Sequence, residues 1–358
     1  MKKWKRLATN PQWKKPLMII IAGVLTLILI VPTLIVVPFI GTSDEEKEPV
    51  ETENAEVEQP VAIKASDSPF SVKVFRTETE ETEMVPLEEY VARVVASEMP
   101  AEFELEALKA QSLAARTYIV NHLVHQEESS LPENSDVTDT VEHQVYKSDK
   151  ELLAQWGTDY NWKMNKINQA VTSTIGEIIT YEDQPITPAF FSTSNGFTED
   201  SENYWENELP YLRSVESPWD KDSPKYLDQK IVTEQQVEEI LGIQVDTNSD
   251  QPFEISRTDS NRVAEMTVGG ESFTGREIRE SLDLRSSDFE VEHKNDHFIF
   301  TTKGYGHGIG MSQYGADGMA KEGKSYKEIV TYYYKGAEVA QVNNTAPKLA
   351  STQQAANE

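Results

Sequence analysis

A long uncharged stretch near the start of the chain constrains the molecule more than any other feature. From Leu17 to Ile40 there are 24 residues without a charged side chain. As a helix, this stretch would rise about 36 Å, which is enough to cross the hydrocarbon core of a bilayer. It predicts a transmembrane helix at residues 18–40, strongest over Met18–Val37. A cleavable signal peptide is the alternative, although its apolar region is usually only ~7–15 residues long.

The charges around this stretch predict its orientation and limit the possible partners. Six Lys and Arg residues and no acidic residue precede it, so residues 1–17 are expected to stay in the cytoplasm while the rest is exported. The exported part carries 27 Lys and Arg residues against 61 Asp and Glu residues, a formal charge of −34. Such a surface disfavours nucleic acid as a partner. The chain has no cysteine, which excludes thiol nucleophiles, disulfides and cysteine-bound zinc.

Composition divides the exported part into segments. Residues 41–68 are acidic and poor in apolar side chains, which predicts a disordered linker. Residues 69–340 are predicted to form an α+β domain of two lobes with a central cleft. Within this domain, residues 221–291 are predicted to be an inserted small α/β subdomain. Residues 341–358 are predicted to be a polar tail.

The spacing of apolar residues predicts the main helices and strands. Helices are expected at Leu87–Glu98, Glu104–Val124, Thr233–Leu241, Ser312–Glu322 and Ser325–Tyr334. Strands are expected at Phe70–Arg76, Gln144–Lys147, Glu177–Tyr181 and Ala189–Ser192, with a hairpin over Phe253–Thr274 around Gly269-Gly270. After the inserted segment, Phe298–Phe300 is predicted to return the chain to the main domain.

Glu98 is the strongest candidate for a catalytic residue. It stands in the sequence Val-Val-Ala-Ser-Glu-Met-Pro, so its carboxyl group is expected among apolar neighbours at the end of a helix. Loss of hydration raises the pKa of such a carboxyl group and makes it a proton donor at neutral pH. Glu102, Glu104 and Glu106 have more polar neighbours, and first-turn charges favoured by the helix dipole explain them more simply.

The segment Gly304–Ala316 places glycines at alternate positions ahead of a predicted helix. Glycines at this density let backbone N–H groups approach a ligand closely. The segment lacks the Gly-Lys-Ser/Thr ending of a nucleotide-binding loop. Two interpretations stay open: a tight turn with a satisfied histidine, or a cradle for a hydroxyl-rich ligand such as a sugar. The cradle would present His307, Ser312, Gln313 and Tyr314.

Three separated motifs resemble the stage II sporulation protein D family. They are Val-Val-Ala-Ser-Glu-Met-Pro with Ala-Leu-Lys-Ala-Gln-Ser-Leu-Ala-Ala-Arg-Thr-Tyr after it, Phe190–Gly196 with Trp205–Trp219, and Gly304–Ala316. The resemblance covers nearly all of residues 69–339. It implies a membrane-anchored lytic transglycosylase of peptidoglycan that acts during engulfment of the forespore, on glycan strands from which an amidase has removed the peptides.

The resemblance also implies partners and a location. The partners would be peptidoglycan glycan strands, a cell-wall amidase similar to stage II sporulation protein P, and a membrane anchor protein of the same complex. The protein would be a single-pass protein of the mother-cell membrane, with its catalytic domain on the extracytoplasmic side that faces the forespore.

Residue roles follow from the resemblance position by position. The catalytic glutamate falls on Glu98, and an arginine of the second helix falls on Arg116. For Arg116 two roles stay open, an ion pair with a helix-end acid or a contact with the lactyl carboxylate of muramic acid. The residues expected to bind substrate are Arg116, Tyr118, Gln144, Ser192, Ser194, His307, Ser312, Gln313 and Tyr314. Four further aromatic residues are either core or sugar-stacking side chains, namely Tyr204, Trp205, Tyr211 and Trp219.

No metal and no cofactor are expected. Some relatives carry cysteine and histidine near the segment Asp139–Tyr146, where they can hold zinc. Here only His143 could serve as a ligand. A single histidine without cysteine makes a metal site improbable.

One carboxyl group suffices for the implied reaction. A glycoside hydrolase usually needs two carboxylates. A lytic transglycosylase protonates the leaving oxygen of the β-1,4 bond after N-acetylmuramic acid and then removes a proton from the C6 hydroxyl of the same sugar, which closes a 1,6-anhydro ring. Because the two steps are sequential, Glu98 can act first as the acid and then as the base. The alternative function is a glycan-binding domain that enhances a cell-wall amidase without cutting anything.

Overall fold

The computed structural model describes residues 61–125, 131–205, 207–245, 252–347 and 349. The predicted transmembrane helix, most of the predicted linker and most of the predicted tail lie outside these ranges. Within them, no helix combines the length and the apolar character needed to cross a membrane.

The described chain mixes helices and strands along its length, so the predicted α+β class is confirmed. The α-helices are α1 (Leu87–Glu98), α2 (Leu105–His125), α3 (Asp149–Trp156), α4 (Tyr160–Thr172), α5 (Glu234–Leu241), α6 (Gly275–Ser281), α7 (Gln313–Lys321), α8 (Tyr326–Tyr333) and α9 (Val342–Thr345). The strands are β1 (Ser71–Arg76), β2 (Glu81–Pro86), β3 (Val137–Thr138), β4 (Glu177–Tyr181), β5 (Gln184–Pro185), β6 (Phe190–Phe191), β7 (Leu227–Thr233), β8 (Phe253–Arg257), β9 (Val263–Val268), β10 (Glu271–Thr274), β11 (Phe289–Lys294), β12 (His297–Lys303), β13 (Met311–Ser312) and β14 (Glu338–Gln341).

The strands form several small sheets. β1 lies between β2 and β3, β4 between β14 and β5, β9 between β10 and β8, and β12 between β11 and β7. The short strands β6 and β13 pair in parallel, with Phe190 opposite Met311. This last pair joins the segment after β5 to the glycine-rich segment, although the two are far apart in sequence.

The first hydrophobic cluster forms around α1 and α2. On α1 the buried apolar side chains include Tyr90, Val91, Val94 and Val95, at the helical spacing that predicted this helix. α2 packs against α1, α4, α7, α8 and β4. Because it is enclosed on several sides, α2 is rich in Ala and Leu around most of its circumference rather than along one stripe.

A buried ion pair lies inside this cluster. Arg116 on α2 and Glu88 in the first turn of α1 have no exposed surface. The Nε of Arg116 donates to Oε1 of Glu88 at 3.0 Å, and its Nη1 donates to the Glu177 carbonyl at 2.9 Å. Oε1 of Glu88 also accepts from the Gly176 N–H at 3.1 Å. The ion pair with a helix-end acid is therefore the observed role, and the predicted contact of Arg116 with substrate is corrected because the whole side chain is enclosed.

A second hydrophobic cluster gathers the apolar side chains of the later sheets. It includes Val232, Met266, Phe289, Phe298 and Phe300. Phe298 and Phe300 belong to β12, which lies between β11 and β7, and both pack into this second cluster. The sequence analysis ended the inserted segment at residue 291 and assigned these two phenylalanines to the main domain. In the structure, strand pairing holds them with the residues of the insert.

Two further predictions differ in outcome. The segment Gln144–Lys147 is irregular, so the strand predicted there is wrong. The turn predicted at Gly269-Gly270 joins β9 to β10, and both glycines have positive φ, 60° and 84°. These angles favour glycine because they cost other residues steric strain. The expected hairpin is therefore part of a three-stranded sheet that also contains β8.

The first described residues are held against α4. The Val61 N–H donates to Oδ1 of Asn165 at 2.6 Å, and the Val61 carbonyl accepts from Nδ2 of Asn168 at 2.9 Å. Two residues later, Ile63 packs against the first hydrophobic cluster. The chain therefore enters the domain along α4, before β1 begins.

We expect Arg116→Met to lower the free energy of unfolding by about 3–5 kcal/mol, because the Glu88 carboxylate would stay buried without its partner. Urea denaturation followed by circular dichroism measures the loss. The control is Lys324→Met, which removes an exposed pair with Glu328 and should cost ~0–1 kcal/mol. The double variant Glu88→Gln/Arg116→Met should recover part of the loss. Equal losses in Arg116→Met and Lys324→Met would contradict the buried pair.

Candidate functional site

Glu98 is the last residue of α1, and its side chain is partly exposed. The next residue, Met99, is buried. Burial raises the pKa of the Glu98 carboxyl group, although a hydrogen bond from the Val145 N–H and the nearby Lys147 charge oppose the rise. The direction agrees with the prediction from the sequence. A carboxyl group with a raised pKa keeps its proton closer to neutral pH, as a general acid requires.

The irregular segment Gln144–Lys147 lies beside Glu98, where the Val145 N–H reaches the carboxylate. Gln144 is buried, and its Oε1 accepts from the Tyr90 hydroxyl at 3.2 Å. Its Nε2 has no hydrogen-bond partner within the part of the chain that the structure describes. A buried donor without a partner is costly, so this amide is suited to a ligand oxygen.

Gln313 holds the backbone of Glu98. It is the first residue of α7, and its Nε2 donates to the Glu98 carbonyl at 3.1 Å. The last carbonyls of a helix have no partner inside the helix, and Gln313 satisfies this one. The same Nε2 lies 3.5 Å from Oε1 of Gln111, a buried α2 residue whose own Nε2 has no partner among the described residues. Gln313 therefore fixes the place where the Glu98 side chain leaves the helix.

A buried carboxylate lies at the start of α7. The carboxylate of Asp220 accepts four hydrogen bonds from the described residues. The donors are the hydroxyls of Ser194 at 2.9 Å and Ser217 at 2.6 Å, the Ser194 N–H at 2.8 Å, and the Ser312 hydroxyl. Burial raises the pKa of Asp220 in spite of these donors. Ser194 and Ser312 are fully buried, so their predicted contacts with substrate are corrected: they bind Asp220.

Ser312 has a second structural role as the residue that precedes α7. Its hydroxyl accepts from the Gly315 N–H at 3.2 Å, which caps the helix. A Cβ at Gly315 would lie 2.0 Å from the Tyr333 hydroxyl and 2.4 Å from the Ser217 hydroxyl. This glycine is therefore required by close packing rather than by a ligand.

The glycine-rich segment is a tight turn around His307, whose side chain is partly exposed. Nδ1 of His307 accepts from the Ile309 N–H at 3.0 Å, and the ring also donates to the Phe190 carbonyl. Burial and the nearby charge of Arg279 lower the pKa of His307 to about 4, so the ring is neutral at pH 7. These contacts favour the turn with a satisfied histidine among the two open interpretations. Because the His307 side chain is partly exposed, its contact with substrate stays a prediction.

The other predicted substrate residues are spread more widely. Ser192 is partly exposed, and its carbonyl accepts from the Tyr314 N–H at 3.1 Å. The Tyr314 ring packs edge-on against Phe103, with 4.8 Å between ring centroids. Tyr118 lines a separate cavity of about 350 Å³ with His122. The structure therefore brings Gln144 and Gln313 to Glu98 and gives Tyr118 different surroundings.

His143 lies near His122, which also lines the cavity beside Tyr118. Its Nδ1 is 3.0 Å from the Thr138 hydroxyl, and its ring meets that of His122 edge-on at 5.2 Å. Burial lowers the pKa of His143. In the described ranges, no group of three or more His, Asp or Glu side chains is arranged to hold a metal ion.

The four aromatic residues pack mainly against other parts of the protein. The rings of Tyr204 and Trp205 lie 5.9 Å and 6.0 Å from His307. Tyr211 is buried, and Trp219 packs edge-on against Tyr332. These contacts favour the core interpretation that the sequence analysis left open beside sugar stacking.

Two of the acidic residues after Glu98 already have protein partners. Glu102 pairs with Lys163 at 2.8 Å, and this hydrogen bond lowers the pKa of the Glu102 carboxyl group. Glu106 accepts from Lys109 at 2.7 Å and from the Tyr326 N–H at 2.8 Å. These contacts make Glu102 and Glu106 weaker candidates than Glu98 for an acid catalyst, and Glu104 is exposed.

The sequence analysis missed Gln111, Lys147 and Asp220. Gln111 carried a usable signal, because an amide within an Ala- and Leu-rich buried helix needs a partner. Asp220 lies in the short 3₁₀ turn Pro218–Asp222, where no periodic pattern marks it. Lys147 lies in the segment that was expected to be a strand.

Comparison with known proteins gives the family. The family model SpoIID, described as a stage II sporulation protein, matches residues 76–181. Stage II sporulation protein D of Bacillus subtilis (strain 168) is 49% identical over 321 residues, 88% of this chain and 93% of that protein. Its counterpart in Bacillus amyloliquefaciens is 44% identical over 338 residues, 93% of this chain and 98% of that protein.

A more distant relative has a different name. An amidase enhancer of Bacillus subtilis (strain 168) is 29% identical over 298 residues, which are 68% of this chain and 39% of that protein. Both sporulation proteins are more similar to this chain than the amidase enhancer is, and this chain covers almost their whole length. This chain therefore belongs to the stage II sporulation protein D family of sporulation proteins.

Proposed function

We propose that this protein is a peptidoglycan lytic transglycosylase that uses Glu98 to cleave the MurNAc–GlcNAc β-1,4 bond of peptide-free strands. The observation that carries the proposal is the setting of Glu98, a partly exposed carboxyl group with a raised pKa. Its side chain and its backbone are held by two separate parts of the chain, through Val145 and Gln313. This arrangement supports chemistry that needs one well-placed proton donor.

The proposed reaction has two steps. In the first, protonated Glu98 gives its proton to the glycosidic oxygen as the bond from C1 of the muramic residue breaks. In the second, the Glu98 carboxylate takes the proton of the C6 hydroxyl of the same residue while O6 bonds to C1, which forms 1,6-anhydro-MurNAc. The Val145 N–H stabilises the carboxylate between the steps, and the second step restores the acid.

The proposal extends to the cellular setting. Residues 18–40 would anchor the protein in the membrane, and the glycan would lie in a cleft between two lobes during septal cell-wall degradation and engulfment. An amidase similar to stage II sporulation protein P would supply peptide-free strands. The support is the uncharged stretch with six basic residues before it and the membership of a sporulation family.

A non-catalytic enhancer of a cell-wall amidase is the second candidate. The similarity to an amidase enhancer over 68% of this chain favours it. Both functions need glycan binding, but only the transglycosylase needs a proton donor at position 98. The products therefore distinguish them.

Glu98→Gln should abolish cleavage without unfolding the protein, because the amide keeps the shape of the side chain but cannot donate the proton. The loss should reach or exceed ~10⁴-fold, since one group supplies both acid and base catalysis. Mass spectrometry of products from peptide-free strands measures turnover and should show anhydro ends with the wild type. The control Glu102→Gln, which alters the acid paired with Lys163, should retain most activity. Reducing ends would show that water, not C6, attacks.

The pH profile should reflect the raised pKa of Glu98. The first step needs the protonated form, so kcat/KM should fall as the pH rises through the pKa of Glu98. Because burial raises this pKa, the fall should lie above the ordinary glutamate value of about 4.3. Initial rates across the range in which the fold is stable would show this limb. A limb at or below the ordinary value would argue against Glu98 as the acid.

Gln313→Ala should mainly lower the rate of cleavage, whereas Ser312→Ala should mainly lower the free energy of unfolding. Gln313→Ala removes the donor to the Glu98 carbonyl, so single-turnover cleavage should slow by roughly tenfold, equivalent to ~1.4 kcal/mol. Ser312→Ala removes a donor to buried Asp220 and should lower the free energy of unfolding by ~1–3 kcal/mol. Thermal unfolding and cleavage are measured on the same preparations. Equal cleavage rates for Gln313→Ala and the wild type would remove Gln313 from the site.

A further inference from the structure

Lys147 is a cation near Glu98 that makes no ion pair with any of the described residues. It lies between Gln144, whose Oε1 accepts from the Tyr90 hydroxyl of α1 at 3.2 Å, and Asp149, whose carboxylate accepts from Nη2 of Arg93 of α1 at 2.6 Å. Its ammonium group donates to Oε1 of Gln155 at 2.7 Å. No carboxylate of the described residues lies within 4.0 Å of that ammonium. A neutral amide thus leaves the charge of Lys147 uncompensated at short range.

Two lysines that contact the segment after Glu98 are bound differently. Lys163 pairs with the Glu102 carboxylate at 2.8 Å, and Lys166 donates to the Phe103 carbonyl at 2.5 Å. The whole chain has 61 acidic and only 33 basic side chains, so carboxylates for an ion pair are abundant. Lys147 is partly buried beside a candidate catalytic residue and still faces an amide. This arrangement suits an anionic ligand, since partly buried charges are screened less than exposed ones.

The proposed substrate changes charge when its peptide is removed. In intact peptidoglycan an amide bond joins the lactyl group of muramic acid to the peptide, so the lactyl group is neutral. Hydrolysis of this amide leaves a carboxylate on the same sugar whose C1 reacts at Glu98. The sequence analysis offered Arg116 for this carboxylate, but Arg116 is enclosed with Glu88.

We propose that Lys147 binds the lactyl carboxylate of the muramic residue at Glu98 and thereby selects strands whose peptides have been removed. This inference rests on the proposed function. An ammonium group forms a charge-assisted hydrogen bond with a carboxylate, whereas an amide-linked lactyl group offers it only a neutral oxygen. The acidic surface of the protein would otherwise repel an anionic strand, so a local cation is needed to favour it. The preference is the difference between the affinity for strands with free lactyl carboxylates and the affinity for strands with amide-linked lactyl groups, and Lys147 provides this difference.

The test measures binding on the full-length Glu98→Gln protein, which should hold the glycan without cutting it. One fluorescent probe is a peptide-free glycan fragment with free lactyl carboxylates, and the other is the same fragment after conversion of those carboxylates to primary amides. The free-carboxylate probe should bind about tenfold more tightly, equivalent to ~1.4 kcal/mol. Adding Lys147→Gln should weaken its binding about tenfold and leave the binding of the amide probe unchanged.

Two further variants control for charge. Lys147→Arg keeps the cation and should keep the preference for the free-carboxylate probe. Lys163→Gln also removes one positive charge on this side of the protein, but that charge is already paired with Glu102, so the preference should persist. Thermal unfolding should be similar for the Lys147 variants, because in the described part of the chain the one hydrogen bond of the Lys147 side chain is with Gln155, an exposed residue.

Several outcomes would overturn the inference. They are equal binding of the two probes by Glu98→Gln, an undiminished preference after Lys147→Gln, and an equal loss in Lys163→Gln. Cleavage by the wild type is measured separately on the unmodified strands. A wild type that does not cleave but keeps a Lys147-dependent preference would overturn the transglycosylase and support Lys147 as the carboxylate-binding residue.

Discussion

The buried carboxylate of Asp220 is the contact on which the surroundings of Glu98 depend. A carboxylate is stable inside a protein only when hydrogen bonds replace its lost hydration. Asp220 obtains them from Ser194, Ser217 and Ser312, which lie in three separate segments of the chain. The last of these caps α7, and α7 supplies Gln313 to the backbone of Glu98. The position of the Glu98 backbone is thus set by an acid that is far from it in sequence.

The helices around Glu98 could be predicted because their signal is local. Apolar spacing and the proline after Glu98 fixed α1, and the Ala- and Leu-rich composition indicated α2. The segment Gln144–Lys147 has alternating residues but is irregular, because its backbone is used for a contact with Glu98 instead of a neighbouring strand. β12 was misassigned for a related reason, since strand partners are chosen by tertiary structure and not by the strand's own residues.

The roles of polar residues were harder to predict than the elements that carry them. A serine or histidine in a glycine-rich segment has the same sequence pattern whether its partner is a sugar or a buried protein group. Ser312 binds Asp220, and His307 accepts from the Ile309 N–H. Gln313, from the same segment, instead donates to the backbone of Glu98. The raised pKa of Glu98 was predicted from its apolar sequence neighbours, and burial is the largest cause of the rise in the structure. The charge of Lys147 became informative only once its partner was known to be an amide.

The contact of Val61 with α4 also has a mechanical consequence. Both backbone groups of Val61 are held by side chains of one helix, through Asn165 and Asn168. A pulling force applied to the chain ahead of Val61 would load these two hydrogen bonds and the packing of Ile63 before it reached β1. Tension would thus enter the domain through the side of α4. The strand that begins the first sheet would be shielded until that attachment failed.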